Sequence, residues 1–334
     1  MTTLGVRCLD RAQVTSLGGG DFDAAMADIV DVLALFEAGQ ARMSPECVLP
    51  LTTDDRPGYA YGLPAWVGGR FDAVGLKWSL HLPPQGVGQP SSYSTTLVNH
   101  LDGRPRGLVE SGLLTAVRTA AVSALALEYA APGPLTRVAV LGAGFQARTH
   151  LSMLAECFPG IERVTIWNRT PSALAWATQR AWPFELVVAA SLEEACKGVD
   201  ALLCCTNAER PLVGEDAVAA DRLVLQIGRN EVSFAAIERF DAVLVDLWGE
   251  FRLTSAKSLF QMHRAGRFEP ARLAATLADL VAGRWRPVPG SSVYFSSFGL
   301  NLFDIALAAR LLEAAERLEV GSWQPLLTLP GESP

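Results

Sequence analysis

The sequence lacks the features that mark several classes of protein. It has no cluster of lysine and arginine, and its formal net charge is −7 over 334 residues. We therefore expect no nucleic-acid partner. Charged residues make up only 19% of the chain and hydrophobic residues 50%. This balance is typical of a compact enzyme and not of a disordered chain.

The six cysteines are scattered and form no C-x-x-C pair. Their distribution argues against a zinc site, a redox motif and a disulfide framework, so we expect no metal. No uninterrupted apolar run approaches the ~20 residues that a membrane span needs. The N-terminal stretch around Arg7 and Arg11 has no apolar segment of the kind found in a signal peptide. We expect a cytoplasmic protein with no membrane partner.

A glycine-rich turn organises the chain. Val138–Leu141 is a short apolar run that predicts a buried parallel strand, and G-x-G-x-x-A follows over Gly142–Ala147. In dinucleotide-binding folds the first glycine permits the turn, the second lets the backbone approach a pyrophosphate, and the third small residue packs helix against strand. The alternative is a structural turn that binds nothing. The residues expected to contact the cofactor here are Gly142, Ala143, Gly144, Phe145 and Gln146.

Strand-like and helix-compatible segments alternate after Pro132. The strand-like runs are 137–141, 163–167, 201–205, 223–227 and 242–246. This alternation predicts an α/β fold with a Rossmann-type, doubly wound parallel sheet. Because ligands of such sheets bind at the carboxyl ends of the strands, further cofactor contacts are expected. They are Cys205, Thr206, Asn207 and Gly228.

The remainder of the chain reads as a mixed α+β arrangement. Predicted strands lie at 5–11, 59–66, 73–78 and 94–98, with a loop over 81–90. A helix capped by Asp21 is expected to run to about Phe36 and to end at Gly39. Two long helices are predicted over 110–131 and 302–318, the second followed by a tail that contains proline.

The end of the second strand of the nucleotide-binding segment indicates which nicotinamide is used. An acidic residue that would hold a ribose 2′-hydroxyl is missing there, and Asn168, Arg169 and Thr170 stand in its place. Arg169 can give a charge-assisted hydrogen bond to a 2′-phosphate, and Thr170 can add a hydroxyl. We therefore favour NADPH, with NAD as the other possibility. The alternative is a surface turn in which Thr170 caps a helix.

At this point the chain resembles the ornithine cyclodeaminase/μ-crystallin family. Glu110–Ala121 matches that family's E-x-x-x-L-T-x-x-R-T-A-A signature, and the glycine turn follows at the family's spacing. Ser296–Gly299 and Asp304 resemble its late S-x-G-x-x-x-x-D element, which adds Ser297 and Gly299 to the expected cofactor contacts. The resemblance implies a Rossmann domain over 132–304, inserted in a discontinuous substrate-binding and dimerisation domain of 1–131 plus 305–334. It also implies a homodimer.

The resemblance also assigns roles on the substrate side. Lys77 matches the catalytic lysine, and the implied substrate contacts are Arg42, Arg118, Ser91 (or Ser92) and Asp304. Arginine suits a carboxylate because its planar fork binds two oxygens at once. A lysine that is partly desolvated and lies near arginines has a lowered pKa and can exchange a proton with an amine or imine.

Each of these residues also has a plainer interpretation. Lys77 could be an edge-strand lysine that extends to solvent. Arg118 could belong to a salt bridge within its helix, although no acid stands at 114 or 122. Arg42 could simply pair with Glu46 nearby.

One departure from the family pattern narrows the expected chemistry. The family's cyclodeaminases place an aspartate just after the glycine of the fourth strand, whereas this chain has the shortened segment Gly228–Val232, with Asn230 or Glu231 near that position. We take Asn230 as a substrate contact and expect an NAD(P)-dependent oxidoreductase acting on a C–N bond of an amino-acid-like substrate. Ketimine reductases and opine-type amino acid dehydrogenases are of this kind. The alternatives are a cyclodeaminase that releases ammonia and recycles its NAD, and a non-catalytic binding protein like μ-crystallin.

Three segments look most like one branch of the family. They are Leu63–Gly69, Gly75–Trp78 and Thr96–Asn99. That branch oxidises N-(2-amino-2-carboxyethyl)-L-glutamate to supply 2,3-diaminopropionate for siderophores and antibiotics. The resemblance therefore extends the expectation to an opine-like secondary amine as substrate.

Overall fold

The computed structural model describes residues 2–53, 56–82 and 92–329. The chain divides into two compact units: a discontinuous unit of Met1–Arg118 with Leu300–Pro334, and an inserted unit of Thr119–Gly299. The boundaries expected from the sequence were 131/132 and 304/305. The observed division instead assigns residues 119–131, most of which belong to one long helix, to the inserted unit, and residues 300–304 to the discontinuous unit. That helix runs without a break to Ala130, so no residue within it marks the division.

The first part of the chain is mostly strand. Its elements are β1 Thr2–Leu9, α1 Arg11–Ser16, α2 Phe22–Glu37, β2 Ala41–Met43, β3 Cys47–Thr53, β4 Arg56–Val67, β5 Ala73–His81, β6 Ser92–Asn99, β7 Pro105–Glu110 and α3 Gly112–Ala130. Asp21 caps α2 by accepting a hydrogen bond from the Ala24 amide at 2.9 Å, and Gly39 follows the helix with a left-handed φ of 71°. This helix is the one predicted from the sequence.

Strands and helices alternate in the middle of the chain. Its elements are β8 Arg137–Leu141, α4 Phe145–Cys157, β9 Arg163–Trp167, α5 Ala175–Thr178, β10 Glu185–Val188, α6 Leu192–Cys196, β11 Ala201–Cys204, β12 Arg222–Gln226, α7 Phe234–Arg239, β13 Ala242–Val245, α8 Ser258–Arg264, β14 Leu273–Thr276, α9 Leu277–Val281 and β15 Ser292–Ser296. The chain ends with α10 Asn301–Leu318 and β16 Ser322–Leu329.

The sheet of the inserted unit is parallel throughout, in the order β10-β9-β8-β11-β12-β15-β13-β14. From β8 the chain moves outward to β9 and β10 and then returns to β11 on the other side of β8. The strand order therefore reverses between β8 and β11, which is the switch point at which such folds bind nucleotides. The predicted α/β class with a doubly wound parallel sheet is confirmed.

The sheet of the discontinuous unit is mixed, in the order β16-β1-β7-β6-β5-β4-β2, with β3 also paired to β4. Helix α10 packs across β4, β5 and β6. It approaches closely because Gly75 has no side chain: a Cβ there would lie 2.8 Å from the Ile305 Cδ1 atom. Along β5 the residues alternate, with Lys77 buried and the flanking Leu76 and Trp78 exposed. The register of this strand thus turns Lys77 inward.

Helix α3 has the length and apolar composition of a membrane span, and it is the one helix of the described ranges that has both. However, 78% of the apolar window is buried inside the protein. Core helices of soluble proteins pass the same test of length and composition. The burial of α3 accounts for its apolar sequence without a membrane.

Several sequence expectations need correction. Strand β1 ends at Leu9 because the Asp10 side chain caps α1. Glu110 is the last residue of β7, so the long helix begins at Gly112 and not at Glu110. The expected tail is strand β16, which pairs antiparallel with β1 although it contains Pro325. Proline is tolerated there because β16 lies at the sheet edge. Strands β2, β3, β7, β10, β14 and β15 were not predicted, and residues 83–90 of the predicted loop lie outside the described ranges.

Candidate functional site

Lys77 and Asp304 form a buried ion pair in the discontinuous unit. Lys77, on β5, is 3% exposed, and Asp304, in the first turn of α10, is fully buried. The Lys77 Nζ donates to the Asp304 Oδ1 at 3.0 Å, and the Thr115 hydroxyl donates to the same oxygen at 3.2 Å. The Lys77 ammonium is held inside the unit and does not extend to solvent.

Arg118 is the second cation beside Asp304. It is 8% exposed, and its Nε lies 3.2 Å from the Asp304 Oδ2. The two groups are not aligned for a hydrogen bond, and both atoms are buried without a hydrogen-bond partner among the described residues. Asp304 is the one ion-pair partner of Arg118 in the described part of the chain. The salt bridge within its own helix, which was the plainer interpretation, does not form.

The environment of this cluster shifts both pKa values. Burial lowers the pKa of Lys77, and the nearby Arg118 lowers it further, while Asp304 and Glu46 act against both. Burial alone would raise the pKa of Asp304, but Arg118 and Lys77 outweigh it, so that carboxyl titrates below its usual range. At neutral pH Asp304 is therefore a carboxylate next to a lysine that gives up its proton more readily than usual. A proton donor needs such a pKa.

Polar side chains continue from Lys77 along the sheet. Ser79, two residues further on β5, hydrogen bonds to Ser94 of β6 at 2.7 Å and to His81 at 3.2 Å. Thr96 lies directly opposite Lys77 in the register of β5 and β6 and bonds to Ser111 at 2.6 Å. This row was not predicted from the sequence. The alternation of Lys77, Ser79 and His81 on one face of a strand was the signal for it.

Arg42 and Ser92, which were also predicted to contact the substrate, lie at exposed positions. Arg42 is exposed on β2, opposite Trp66 of β4, and forms no ion pair with any residue of the described ranges. Ser91 lies outside the described residues, and Ser92 is the first, exposed residue of β6. Of the predicted substrate residues, the structure therefore brings together Lys77, Arg118 and Asp304.

In the inserted unit, the glycine turn has the geometry of a pyrophosphate site. Gly142 has a φ of 118°, and a Cβ there would lie 2.5 Å from the Cys205 carbonyl oxygen across the switch point, so glycine is required. Gly144 is the N-cap of α4 and has open space where a side chain would stand. No side chain caps this helix, and its first turn has no acid. Its first N–H groups and positive dipole end therefore suit an anion.

The other residues of this turn support the same interpretation. Ala147 is fully buried, as the helix–strand packing of the motif requires. The Ala143 carbonyl accepts a hydrogen bond from the Trp176 indole at 3.2 Å, Phe145 is exposed, and the Gln146 side-chain oxygen is buried without a partner among the described residues. The residues present fit a bound dinucleotide.

The turn after β9 leaves a cation exposed. The Asn168 side chain donates to the Thr170 carbonyl at 2.9 Å and so fixes the turn, while Arg169 and Thr170 are exposed. The Thr170 side chain makes no capping hydrogen bond to the short helix that follows. Arg169 is in no ion pair with a described residue. Both side chains are thus available to a ligand.

The turns at the other strand ends are held by two buried carboxylates. Glu231 accepts hydrogen bonds from Thr206 and Gly228, and Asp246 accepts them from the 297–299 turn. Asn207 is exposed. The side chain of Asn230 is occupied within this unit, donating to the Glu209 carbonyl at 2.9 Å and accepting from Ser258 at 3.1 Å. Sequence reasoning missed Asp246, although an aspartate directly after a buried strand was visible.

Comparison with known proteins gives a family match over most of the chain. The model of the ornithine cyclodeaminase/mu-crystallin family matches residues 13–318. An N-((2S)-2-amino-2-carboxyethyl)-L-glutamate dehydrogenase of Staphylococcus aureus is 24% identical over 335 residues, covering 94% of this chain and 96% of that protein. An NAD(P)H-dependent anabolic L-arginine dehydrogenase of Pseudomonas aeruginosa is 28% identical over 221 residues, covering 65% and 70%.

A solved structure supports the fold independently. A Δ1-pyrroline-2-carboxylate reductase of Thermococcus litoralis, in complex with NADH and L-proline, superimposes with a TM-score of 0.86 at 22% identity and covers 95% of this chain and 99% of that one. The resemblance seen in the sequence is confirmed. The relatives also bear out the predicted class of enzyme, since they are oxidoreductases that act on C–N bonds.

Proposed function

The chain belongs to the ornithine cyclodeaminase/mu-crystallin family, and we propose that it is an NAD(P)-dependent oxidoreductase acting on the C–N bond of a substrate that carries a neighbouring carboxylate. The observation that carries this proposal is the buried cluster of Lys77, Asp304 and Arg118. In this cluster a lysine of lowered pKa and an arginine share one carboxylate.

Arg118 is the residue that binds the substrate carboxylate. Its Nε makes no hydrogen bond to Asp304 although the two are 3.2 Å apart. The Arg118 side chain keeps 10% of its surface accessible, and a substrate carboxylate that approaches there forms charge-assisted hydrogen bonds with the guanidinium fork. An arginine in this role neutralises the charge of the substrate carboxylate and also fixes the orientation of the substrate.

Lys77 transfers the proton. Bound NAD(P)H supplies the hydride that reduces the carbon of a C=N bond. Lys77 delivers a proton to the nitrogen of that bond, so the π bond is lost and one C–H and one N–H bond form. In the opposite direction Lys77 accepts the proton from the amine, and water then hydrolyses the imine. Asp304 holds the ammonium in place and stays ionised throughout.

Turnover measurements test this function directly. A change in nicotinamide absorbance is expected with cyclic imine acids in the reductive direction, or with an opine-like secondary amine such as N-(2-amino-2-carboxyethyl)-L-glutamate in the oxidative direction. Likeness to the Staphylococcus aureus dehydrogenase favours the second substrate. Ammonia release without any net change in nicotinamide absorbance would instead identify a cyclodeaminase. Binding of these compounds without turnover would identify a binding protein, and both outcomes contradict the proposal.

NADPH is the preferred cofactor in this proposal. Arg169 and Thr170 are exposed at the end of β9, where no carboxylate repels a 2′-phosphate. A charged hydrogen bond contributes about 1.5–3 kcal/mol, so Arg169→Gln is expected to weaken NADPH binding roughly 10- to 100-fold and to leave NADH binding unchanged. Arg137→Gln, at the opposite end of the sheet, is the matched control. Equal affinities of the unaltered protein for the two cofactors would contradict the assignment.

We further propose that the protein works as a cytoplasmic homodimer. Leu76, Leu97 and Leu108 lie directly opposite one another on β5, β6 and β7, and all three are exposed on the sheet face away from Lys77. An exposed row of large apolar side chains is typical of a subunit interface. Light scattering is expected to give the mass of two chains for the unaltered protein and the mass of one chain for Leu97→Asp. A monomer at all concentrations would contradict the proposal.

A further inference from the structure

Two buried carboxylates tie together the carboxyl ends of four neighbouring strands in the inserted unit, β11, β12, β15 and β13. Glu231 joins the first two. It is fully buried and accepts hydrogen bonds from the Thr206 amide at 2.6 Å, the Thr206 hydroxyl at 2.7 Å and the Gly228 amide at 2.8 Å. One side chain thus fixes the turn after β11 against the turn after β12.

Asp246 joins the other two strand ends in the same way. It is fully buried, and its Oδ2 accepts hydrogen bonds from the Phe298 amide at 2.7 Å and the Gly299 amide at 2.6 Å. Its Oδ1 accepts from the Leu247 amide at 2.9 Å. Asp246 follows β13 and Phe298 follows β15, so this carboxylate fixes the turn after β15 against the end of β13.

Lys257 links the two carboxylates electrostatically. Its Nζ donates to the carbonyl oxygens of Ile227 at 2.7 Å and Gly228 at 2.6 Å. Burial raises the pKa of both carboxyl groups, to about 7 for Glu231, and the Lys257 charge acts against that rise at both. The lysine therefore supports the ionised form of both carboxyl groups, which is the form that accepts all of these hydrogen bonds.

The position of these turns gives them a role. A doubly wound sheet binds the two halves of a dinucleotide on the two sides of its switch point, with the adenine ribose beside the second strand of the first half. Here that strand is β9, so the nicotinamide half belongs to the carboxyl edge from β11 onward. Building on the proposed function, we infer that Glu231 and Asp246 are positioning residues for the nicotinamide half of the cofactor, acting through the turns at Thr206, Gly228 and Gly299.

The packing around Glu231 supports a positioning role. A Cβ on Gly228 would lie 2.7 Å from the Glu231 carboxyl carbon, so the backbone of that turn approaches the carboxylate as closely as glycine allows. With their N–H groups fixed, the turns present the rest of their backbone in one conformation before any ligand binds. Such preorganisation increases affinity because less ordering is left for the binding step.

Isosteric variants test the inference. Glu231→Gln and Asp246→Asn keep the side-chain shape but replace one acceptor oxygen by an NH2 group that faces N–H donors. A lost hydrogen bond of about 1–1.5 kcal/mol corresponds to a roughly tenfold weaker affinity. The dissociation constants of NADPH and NADH are expected to rise by that factor, whereas the dissociation constant of ADP, which contains only the adenine half, is expected to stay the same. Glu193→Gln, an exposed glutamate on α6, is the matched control.

A milder variant keeps the test valid if the buried substitutions fail to fold. Thr206→Val removes only the hydroxyl that donates to Glu231 and is expected to weaken NADPH binding in the same direction, again without affecting ADP. Equal weakening of ADP and NADPH binding would mean that the carboxylates only stabilise the fold, and it would overturn the inference. Unchanged binding of both ligands would overturn it as well. If the unaltered protein binds neither NADPH nor NADH, the proposed function itself fails.

Discussion

The two units each contain a buried cluster of charged side chains, and the clusters differ in how completely they are hydrogen bonded. In the inserted unit all four carboxylate oxygens of Glu231 and Asp246 accept hydrogen bonds. In the discontinuous unit the Arg118 Nε and the Asp304 Oδ2 are buried side by side, and neither forms a hydrogen bond with a described residue.

This difference distinguishes a cluster that holds the fold in place from a cluster that is expected to act on the substrate. A buried charge without all of its hydrogen bonds lowers stability, and one reason for a protein to retain such a group is a role in binding or catalysis. A carboxylate whose two oxygens both accept hydrogen bonds from backbone N–H groups holds those backbone segments in place. The cluster of Lys77, Asp304 and Arg118 is therefore where substrate is expected to react, and the cluster of Glu231, Asp246 and Lys257 where the fold is fixed.

The largest effect is expected from Lys77→Met. Removal of a positioned proton donor typically costs 10²- to 10⁴-fold in rate, so kcat should fall by about that range. Binding of NADPH should be unchanged, because the predicted cofactor contacts belong to the inserted unit. Steady-state kinetics and cofactor titration measure the two quantities. The exposed Lys197→Met is the control, and turnover that survives in Lys77→Met would remove the lysine from the reaction.

A smaller effect is expected from Arg118→Lys. The charge is kept but the bidentate fork is lost, and with about 1.5–3 kcal/mol for a charged hydrogen bond the KM of the substrate should rise roughly 10- to 100-fold. The value of kcat should change less, since Lys77 is untouched. A substrate amide that lacks the carboxylate should be turned over equally by both proteins. If the variant also loses activity toward the amide, Arg118 does more than bind the carboxylate.

The same comparison shows which features could be predicted from the sequence. The glycine turn could be predicted, because Gly142–Ala147 is a continuous segment whose residue types are dictated by backbone geometry. The family resemblance located Lys77 and Arg118, but the partner they share could not be read from spacing. Lys77 and Asp304 are 227 residues apart, and only the packing of α10 on β5 brings them together. Asp304, expected to contact substrate, is hydrogen bonded to Lys77 and forms an ion pair with Arg118.

Long-range pairing also explains the missed strands. Strand β15 is a five-residue segment with only three large apolar residues, Val293–Phe295, and it is inserted between β12 and β13. A run of that length does not reveal its neighbours. Strand β16 is exposed along its length and contains Pro325, so its composition resembles a tail. Its strand character comes from pairing with β1 at the other end of the chain.

The smallest change in maximal rate, and the most specific one, is expected from Asp304→Asn. The Asp304 charge is what opposes the lowering of the Lys77 pKa by burial and Arg118, so its removal lowers that pKa further. Imine reduction needs the protonated lysine. In the variant, kcat/KM should therefore begin to decline at a lower pH than in the unaltered enzyme.

Asp304 itself has a lowered pKa. Its stabilising effect is present above the pKa of the unfolded state and lost below that of the folded state, and the variant should unfold more easily at neutral pH. Asp28→Asn, which breaks a buried pair with Arg70 and Arg310 in the same unit, should lower stability in the same way without moving the pH profile. If both variants shift the pH profile equally, the shift is caused by the lower stability of the unit and not by loss of the charge beside Lys77.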